Sequence, residues 1–262
     1  MSILPNIFVV GCGRNGTSMV AGLFAKLPFF MGEKLHAPRD SNPKGFFEDA
    51  AINQLNDSIL SRYTPERTVI NGFGYQCDAP GRGQHWLARI PTDVVVTATQ
   101  EELLQIRNFV DRSPFCYKDT RFCYTLHLWQ HFAHNAKYIC VFRPPSIAVE
   151  SILKECHSQP YLADFSISVN QAFEIWYLMY YHVLNRLTKF GEWLFLQYDE
   201  VLEGDALKTI SRFTDTDINK HFPDIRLNRT KTYLQMPKKV ADLYEELCGK
   251  ALESKKNLSL TQ

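Results

Sequence analysis

The run Ile7-Phe-Val-Val10 is apolar at every position and stops at a glycine. A strand with one wet face alternates apolar and polar residues. A run without alternation belongs inside a sheet covered on both sides. Such sheets are parallel, because the helical crossovers between parallel strands are what cover the faces. Residues 138–142 form a second run of this kind, and 115–118 and 193–197 read as two more strands. Helical spacing appears over 17–27, 49–61, about 125–135, 146–157 with Ser146 as N-cap, about 168–189, 205–213 and 238–252. Residues 94–98 read equally as a short strand or as the start of a helix through Arg112. The alternation predicts an α/β chain with three layers, α/β/α, around a mainly parallel central sheet. With 262 residues we expect one domain over 1–262, an excursion over 62–92 rich in glycine and aromatics, and a frayed tail at 254–262.

Charge excludes one class of partner. Lys+Arg 29 against Asp+Glu 28 leaves a net charge of +1, whereas nucleic-acid binders usually carry a marked basic excess. We therefore expect no nucleic-acid partner. Seven cysteines, with no CxxC pair, suggest neither a disulfide framework nor a zinc site, and buried free thiols fit a reducing compartment. No signal peptide is visible, and no segment approaches the ~18–20 apolar residues of a membrane span. A cytoplasmic protein is the expectation.

In parallel sheets ligands bind beyond the carboxyl ends of the strands. The first strand leads into Gly11-Cys-Gly-Arg-Asn-Gly-Thr-Ser18. Glycines there let backbone N–H groups close around an anion. Gly11 and Gly16 have the spacing of the nucleotide P-loop, but its lysine position holds Thr17, which counts against Mg²⁺-dependent phosphoryl transfer. The loop's cation is Arg14. The third strand runs into Arg143, and a guanidinium at a buried strand end is costly unless it meets an anion. Ser151, eight residues on, can reach the same phosphate from the next helix.

Together these features resemble the PAPS-dependent sulfotransferase family, and the P-loop NTPase-like fold of that family is what the resemblance implies. In that family the first loop binds the 5′-phosphosulfate end of 3′-phosphoadenosine 5′-phosphosulfate (PAPS), which assigns it here to Gly13, Arg14, Asn15, Gly16, Thr17 and Ser18. The second element binds the 3′-phosphate, here Arg143 and Ser151. Tyr198-Asp199-Glu200 is similar to a strand-end segment whose tyrosine approaches the adenine, and Asn42-Pro-Lys-Gly-Phe-Phe-Glu48-Asp49 and Lys118-Asp-Thr-Arg121 resemble segments of bacterial and carbohydrate sulfotransferases. An adenine-stacking tryptophan of cytosolic members is replaced by Met19, and their catalytic histidine is absent from Lys118-Asp119-Thr120. The basic residues Arg226, Arg229 and Lys231 carry no assigned role.

The implied activity is transfer of a sulfuryl group to a hydroxyl, or less readily an amine, of a carbohydrate or small-molecule acceptor, with no metal. Arg14 suits stabilisation of the growing negative charge. Glu48 is the chosen base, with Asp49, Asp119 and His36 as alternatives. Lys118 either touches the bridging oxygen or pairs with Asp119. Trp86, Tyr75 and Phe73 either stack on the acceptor or pack on the core. A P-loop kinase and a non-catalytic nucleotide-binding module of the same fold are the competing readings, and the sequence carries no signal for oligomeric state.

Overall fold

The computed structural model describes residues 4–66, 69–70, 74–75, 78–228 and 234–260. Phe73, Cys77, Arg229, Lys231 and the side chain of Tyr75 lie outside the described residues. Four strands, β1 (Asn6–Val10), β4 (Cys116–Lys118), β5 (Ala136–Phe142) and β6 (Glu192–Gln197), form one sheet in the order β4-β1-β5-β6. All three pairings are parallel. A separate antiparallel pair, β2 (Val69–Ile70) and β3 (Gly74–Tyr75), lies within the 62–92 stretch.

Alternate residues of β1 serve different cores. Phe8 and Val10 pack with α2 (Ala50–Ser61), α4 (Phe122–Gln130) and α6 (Val169–Arg186). Ile7 and Val9 pack with α1 (Thr17–Gly22) and α8 (Leu207–Thr214). Both faces are thus covered, giving the α/β/α layers expected of an unalternating strand. The remaining helices are α3 (Gln100–Val110), α5 (Pro145–Ser158), α7 (Tyr198–Glu203) and α9 (Lys238–Leu260).

Several boundaries differ from expectation. Helix α1 stops at Gly22, and the chain reaches Leu27 through turns, with Lys26 in the left-handed region at φ 66°. Ser146 is not a cap: α5 already includes Pro145 and follows Pro144, with no side-chain cap bond. Pro145 at the first helical position has no N–H to satisfy and a φ already suited to the helix, so the proline pair opens α5 ahead of Ser146. Residues 94–98 form neither strand nor helix; Thr99 caps α3 in a reciprocal capping box with Glu102. The closing helix runs on past residue 252 to Leu260, where a frayed tail was expected from 254; Ser254 Oγ accepts the Phe195 N–H at 3.1 Å and Lys255 pairs with Glu200.

Candidate functional site

Parallel pairing puts every strand's carboxyl end on one edge of the sheet, and that edge opens into a cavity of about 1000 Å³. Gly13, Arg14, Gly16, Thr17 and Ser18 line it after β1, Lys118 and Arg121 after β4, Arg143 after β5 and Tyr198 after β6. The loop after β1 is held from both sides. A methyl group on Gly13 would collide with the Trp86 ring, and one on Gly16 with the Tyr198 ring. Gly16 also takes φ 91°, which favours glycine. Asn15 does not face the cavity. It is fully buried, and its Oδ1 accepts the Arg143 backbone N–H at 3.1 Å and the Trp176 indole N–H at 3.2 Å. Its amide thus ties the loop to the end of β5, below the position the sequence assigned it.

Arg143 is 7% exposed and has no carboxylate partner among the described residues. Its Nη2 donates to Asn228 Oδ1 at 3.2 Å, its Nη1 to Arg14 O at 3.5 Å, its guanidinium stacks 4.6 Å from the centre of the Tyr198 ring, and its Nε has no hydrogen-bond partner among the described residues. Burial lowers its pKa, since taking the charge out of water disfavours it. Arg14 lies beside it with a different set of contacts. Its Nε donates to Ser151 Oγ at 3.1 Å, and its Nη1 lies 3.4 Å from buried Glu155. The sequence divides Arg14 and Ser151 between two phosphates, yet here they bond to each other. Glu155, one helical turn beyond Ser151, is a partner the sequence reading missed.

Residues 36–48 cross the cavity as a strap. Arg14 Nη2 donates to Ser41 O at 3.2 Å, and Ser41 Oγ donates to Glu155 at 3.1 Å. Lys44 reaches Phe222 O at 2.5 Å and Asp224 at 3.7 Å. The strap carries Glu48 to Lys118, and the two form a buried ion pair, while Lys118 Nζ also donates to Ser18 Oγ at 3.3 Å. Of the two alternatives for Lys118, the pairing with Asp119 does not occur. Asp119 is fully buried and instead meets Arg121 at 3.2 Å and the Asn56 amide at 2.9 Å. Asp49 caps α2, accepting the Ala51, Ile52 and Lys34 N–H groups. Neither Asp49 nor Asp119 is among the cavity's lining residues; His36 and Glu48 are. Arg226 is exposed and pairs with Asp224.

A second group escaped the sequence reading. Asp57 on α2 lies 3.0 Å from His85 Nδ1 and accepts the Gly83 N–H at 2.6 Å and Arg121 Nη2 at 3.1 Å. Burial pushes its carboxyl up, but the His85 bond, the Arg121 charge and the Gly83 N–H outweigh that and hold it at about 2. Both His85 and Asp57 line the cavity. Asp57 also accepts the His85 backbone N–H at 3.1 Å, while His85 Nδ1 lies close to the carboxylate outside hydrogen-bond geometry. Among the described residues no group of His, Cys, Asp and Glu could hold a metal ion, and no helix is long and apolar enough to cross a membrane. Six described cysteines are free thiols.

No protein-family model matches the sequence, and no curated protein matches it. Solved structures do. A sulfotransferase domain from the curacin biosynthetic pathway aligns at TM-score 0.53 and 14% identity, covering 94% of this chain and 99% of that one. A sulfotransferase from Mycobacterium tuberculosis H37Rv aligns at TM-score 0.52 and 14% identity, covering 95% of this chain and 77% of that one. Likeness at such identity is likeness of architecture, and it runs through nearly the whole chain: this protein has the sulfotransferase fold.

Proposed function

We propose that the protein is a sulfotransferase that moves a sulfuryl group from PAPS to a hydroxyl of a carbohydrate or other small-molecule acceptor. The observation that carries this reading is Arg143: a guanidinium buried at a strand end, lining the cavity and without a carboxylate partner among the described residues. Buried charges are costly without a counter-charge, and a dianionic phosphate supplies one. Arg143, Arg14 and Ser151 would hold the 3′-phosphate end. Gly13, Gly16, Thr17 and Ser18 would hold the 5′-phosphosulfate through loop amides and hydroxyls. Tyr198, Met19 and Phe222 line the same cavity and offer faces to the adenine.

In sulfuryl transfer the acceptor oxygen attacks sulfur in line with the departing bisphosphate, and negative charge grows on the bridging oxygen. Lys118, beside Ser18, suits that charge. Glu48 would take the acceptor proton; its pairing with Lys118 holds the carboxylate next to the reacting end. A second candidate base is His85, which lines the cavity close to Asp57. Thr17 in place of the P-loop lysine argues against the kinase alternative.

A thermal-shift comparison tests the donor. Adenosine 3′,5′-bisphosphate (PAP) should stabilise the protein and ATP with Mg²⁺ should not; the reverse result would select the kinase. Transfer from radiolabelled PAPS then separates an enzyme from a binding module. Glu48→Gln and His85→Gln separate the bases: the true one loses ~10²–10⁴ in turnover with PAP affinity nearly unchanged. Loss of PAP binding in Glu48→Gln would make Glu48 a support of the strap instead.

A further inference from the structure

Four of the cations that line the cavity, Arg14, Lys44, Lys118 and Arg121, each meet a carboxylate of the fold. Among the described residues three lining cations do not: Arg143, Arg39 and Arg82. Arg143 is taken up by the nucleotide reading above. Arg39 and Arg82 are exposed, at the mouth of the cavity, and no role has been given to them. An exposed arginine is normally a hydrated, mobile chain end, yet Arg39 is held. Its backbone N–H and C=O both bond to Asn42, at 3.3 and 2.8 Å. Its guanidinium lies 5.1 Å from the centre of the Tyr161 ring and 5.7 Å from that of Phe46. Two ring faces fix the place of a cation without cancelling its charge. The turn that carries Arg82 is fixed as well. Arg121 Nη2 donates to Gly83 O at 3.1 Å, and Gln84 Nε2 donates to Tyr161 O at 2.7 Å. That turn is therefore tied to the residue whose ring holds Arg39. Both arginines also sit on the segments that carry the two candidate bases: Arg39 shares the strap with Glu48, and Arg82 lies three residues before His85. An acceptor must bring its hydroxyl to one of those bases, so these cations belong to its side of the cavity.

We propose that Arg39 and Arg82 form an anion subsite at the cavity mouth, and that the acceptor carries an oxyanion there, a carboxylate or a phosphate or sulfate ester, apart from the hydroxyl that takes the sulfuryl group. The proposal rests on the sulfotransferase reading. A guanidinium presents a planar fork of donors that matches such a group with two parallel hydrogen bonds. Water serves the arginines as well as a neutral acceptor does, so only a charged one gains from them. The rings of Tyr161 and Phe46 hold the Arg39 fork in place beforehand, which lessens the side-chain freedom lost on docking. Exposed cations also attract an anionic acceptor from a distance, and salt screens that attraction.

The test uses the full chain saturated with PAP and two pairs of probes that differ in charge: glycerol 3-phosphate against glycerol, and 4-hydroxyphenylacetate against its amide. In calorimetric titrations the charged member of each pair should bind more tightly than the neutral one, and the difference should shrink as salt is raised. Arg39→Gln and Arg82→Gln, both at exposed positions, should each weaken the charged probes roughly 3–10-fold, the range of a lost charged contact near solvent. Neither should move the neutral probes, the PAP affinity or, to any extent, the Tm. Arg39→Lys keeps the charge and loses the fork, so it should recover only part of the binding. Equal binding of charged and neutral probes, no saturable binding of either charged probe, or unchanged affinity in both glutamine variants overturns the subsite and leaves the sulfotransferase reading standing. A fall in PAP affinity with either variant gives the arginines to the nucleotide and overturns the subsite too. Failure of PAP to bind the parent chain removes the sulfotransferase reading, and the acceptor role with it.

Discussion

Two arginines are buried at the strand ends of this sheet, and they are held in opposite ways. Arg121, past β4, lies between two carboxylates, Asp57 at 3.1 Å and Asp119 at 3.2 Å. Burial lowers its pKa, but Asp119, Asp57 and Glu48 more than compensate, and its net shift is upward. Arg143, past β5, has a ring, an amide and the Arg14 carbonyl for company, no carboxylate partner among the described residues and a net shift downward. Burial is alike, at 4% and 7% exposed. What differs is whether the protein supplies the counter-charge itself. Where it does, the arginine serves the fold. Where it does not, the arginine is, on the function proposed above, kept for an anion that arrives from outside.

The comparison predicts different phenotypes. Arg121→Met leaves Asp57 and Asp119 buried without their cation, and breaking such a pair costs about 3–5 kcal/mol; urea denaturation should show the midpoint fall. A midpoint within error of the parent would break the contrast. Arg143→Met should behave inversely. Folding stability should hold or increase, while calorimetry should show PAP binding weakened by about 2–4 kcal/mol, the range for truncating one member of a desolvated charged contact. If stability falls instead and affinity holds, Arg143 belongs with the fold. A smaller effect sharpens the same contrast through pH. Asp57 is depressed from 3.8 to about 2 in the folded state, so the unfolded chain takes up its proton first as pH falls. Its contribution is complete above pH ~4 and is lost between about 4 and 2, amounting to at most ~2 kcal/mol. Denaturation midpoints across that window should decline in the parent, and the part due to Asp57 should be missing from Asp57→Asn.

The architecture was legible because it rests on local pattern. Unalternating runs such as 7–10 and 138–142 mark strands buried on both faces, and parallel pairing then decides where their loops must meet. That is why Gly13, Arg14, Gly16, Thr17, Ser18, Arg143 and Tyr198 could be nominated from sequence and fall around one cavity, with Asn15 of the same loop turned away into the core. The failures are tertiary. His85 and Asp57 are 28 residues apart and sit in an excursion and a helix that no periodicity connects. Glu155 became the partner of Arg14 only through the packing of α5 over the loop. Lys118 chose Glu48 over its sequence neighbour Asp119 because Arg121 had already claimed Asp119. Ser146 lost its capping role to the proline pair before it, a local rule that the sequence did contain.

The rings over Gly13 and Gly16 have a thermodynamic corollary. A glycine-rich segment loses the most conformational entropy on ordering. With Trp86 and Tyr198 pressed against it, this loop takes that loss when the chain folds. The protein therefore carries the cost as reduced stability, and the nucleotide proposed above would meet a loop already in its final shape. Association should then be fast and show little ordering entropy in its heat signature. Shaving either ring, by Trp86→Ala or Tyr198→Ala, would return part of that entropy to the free state and make the ligand do the ordering.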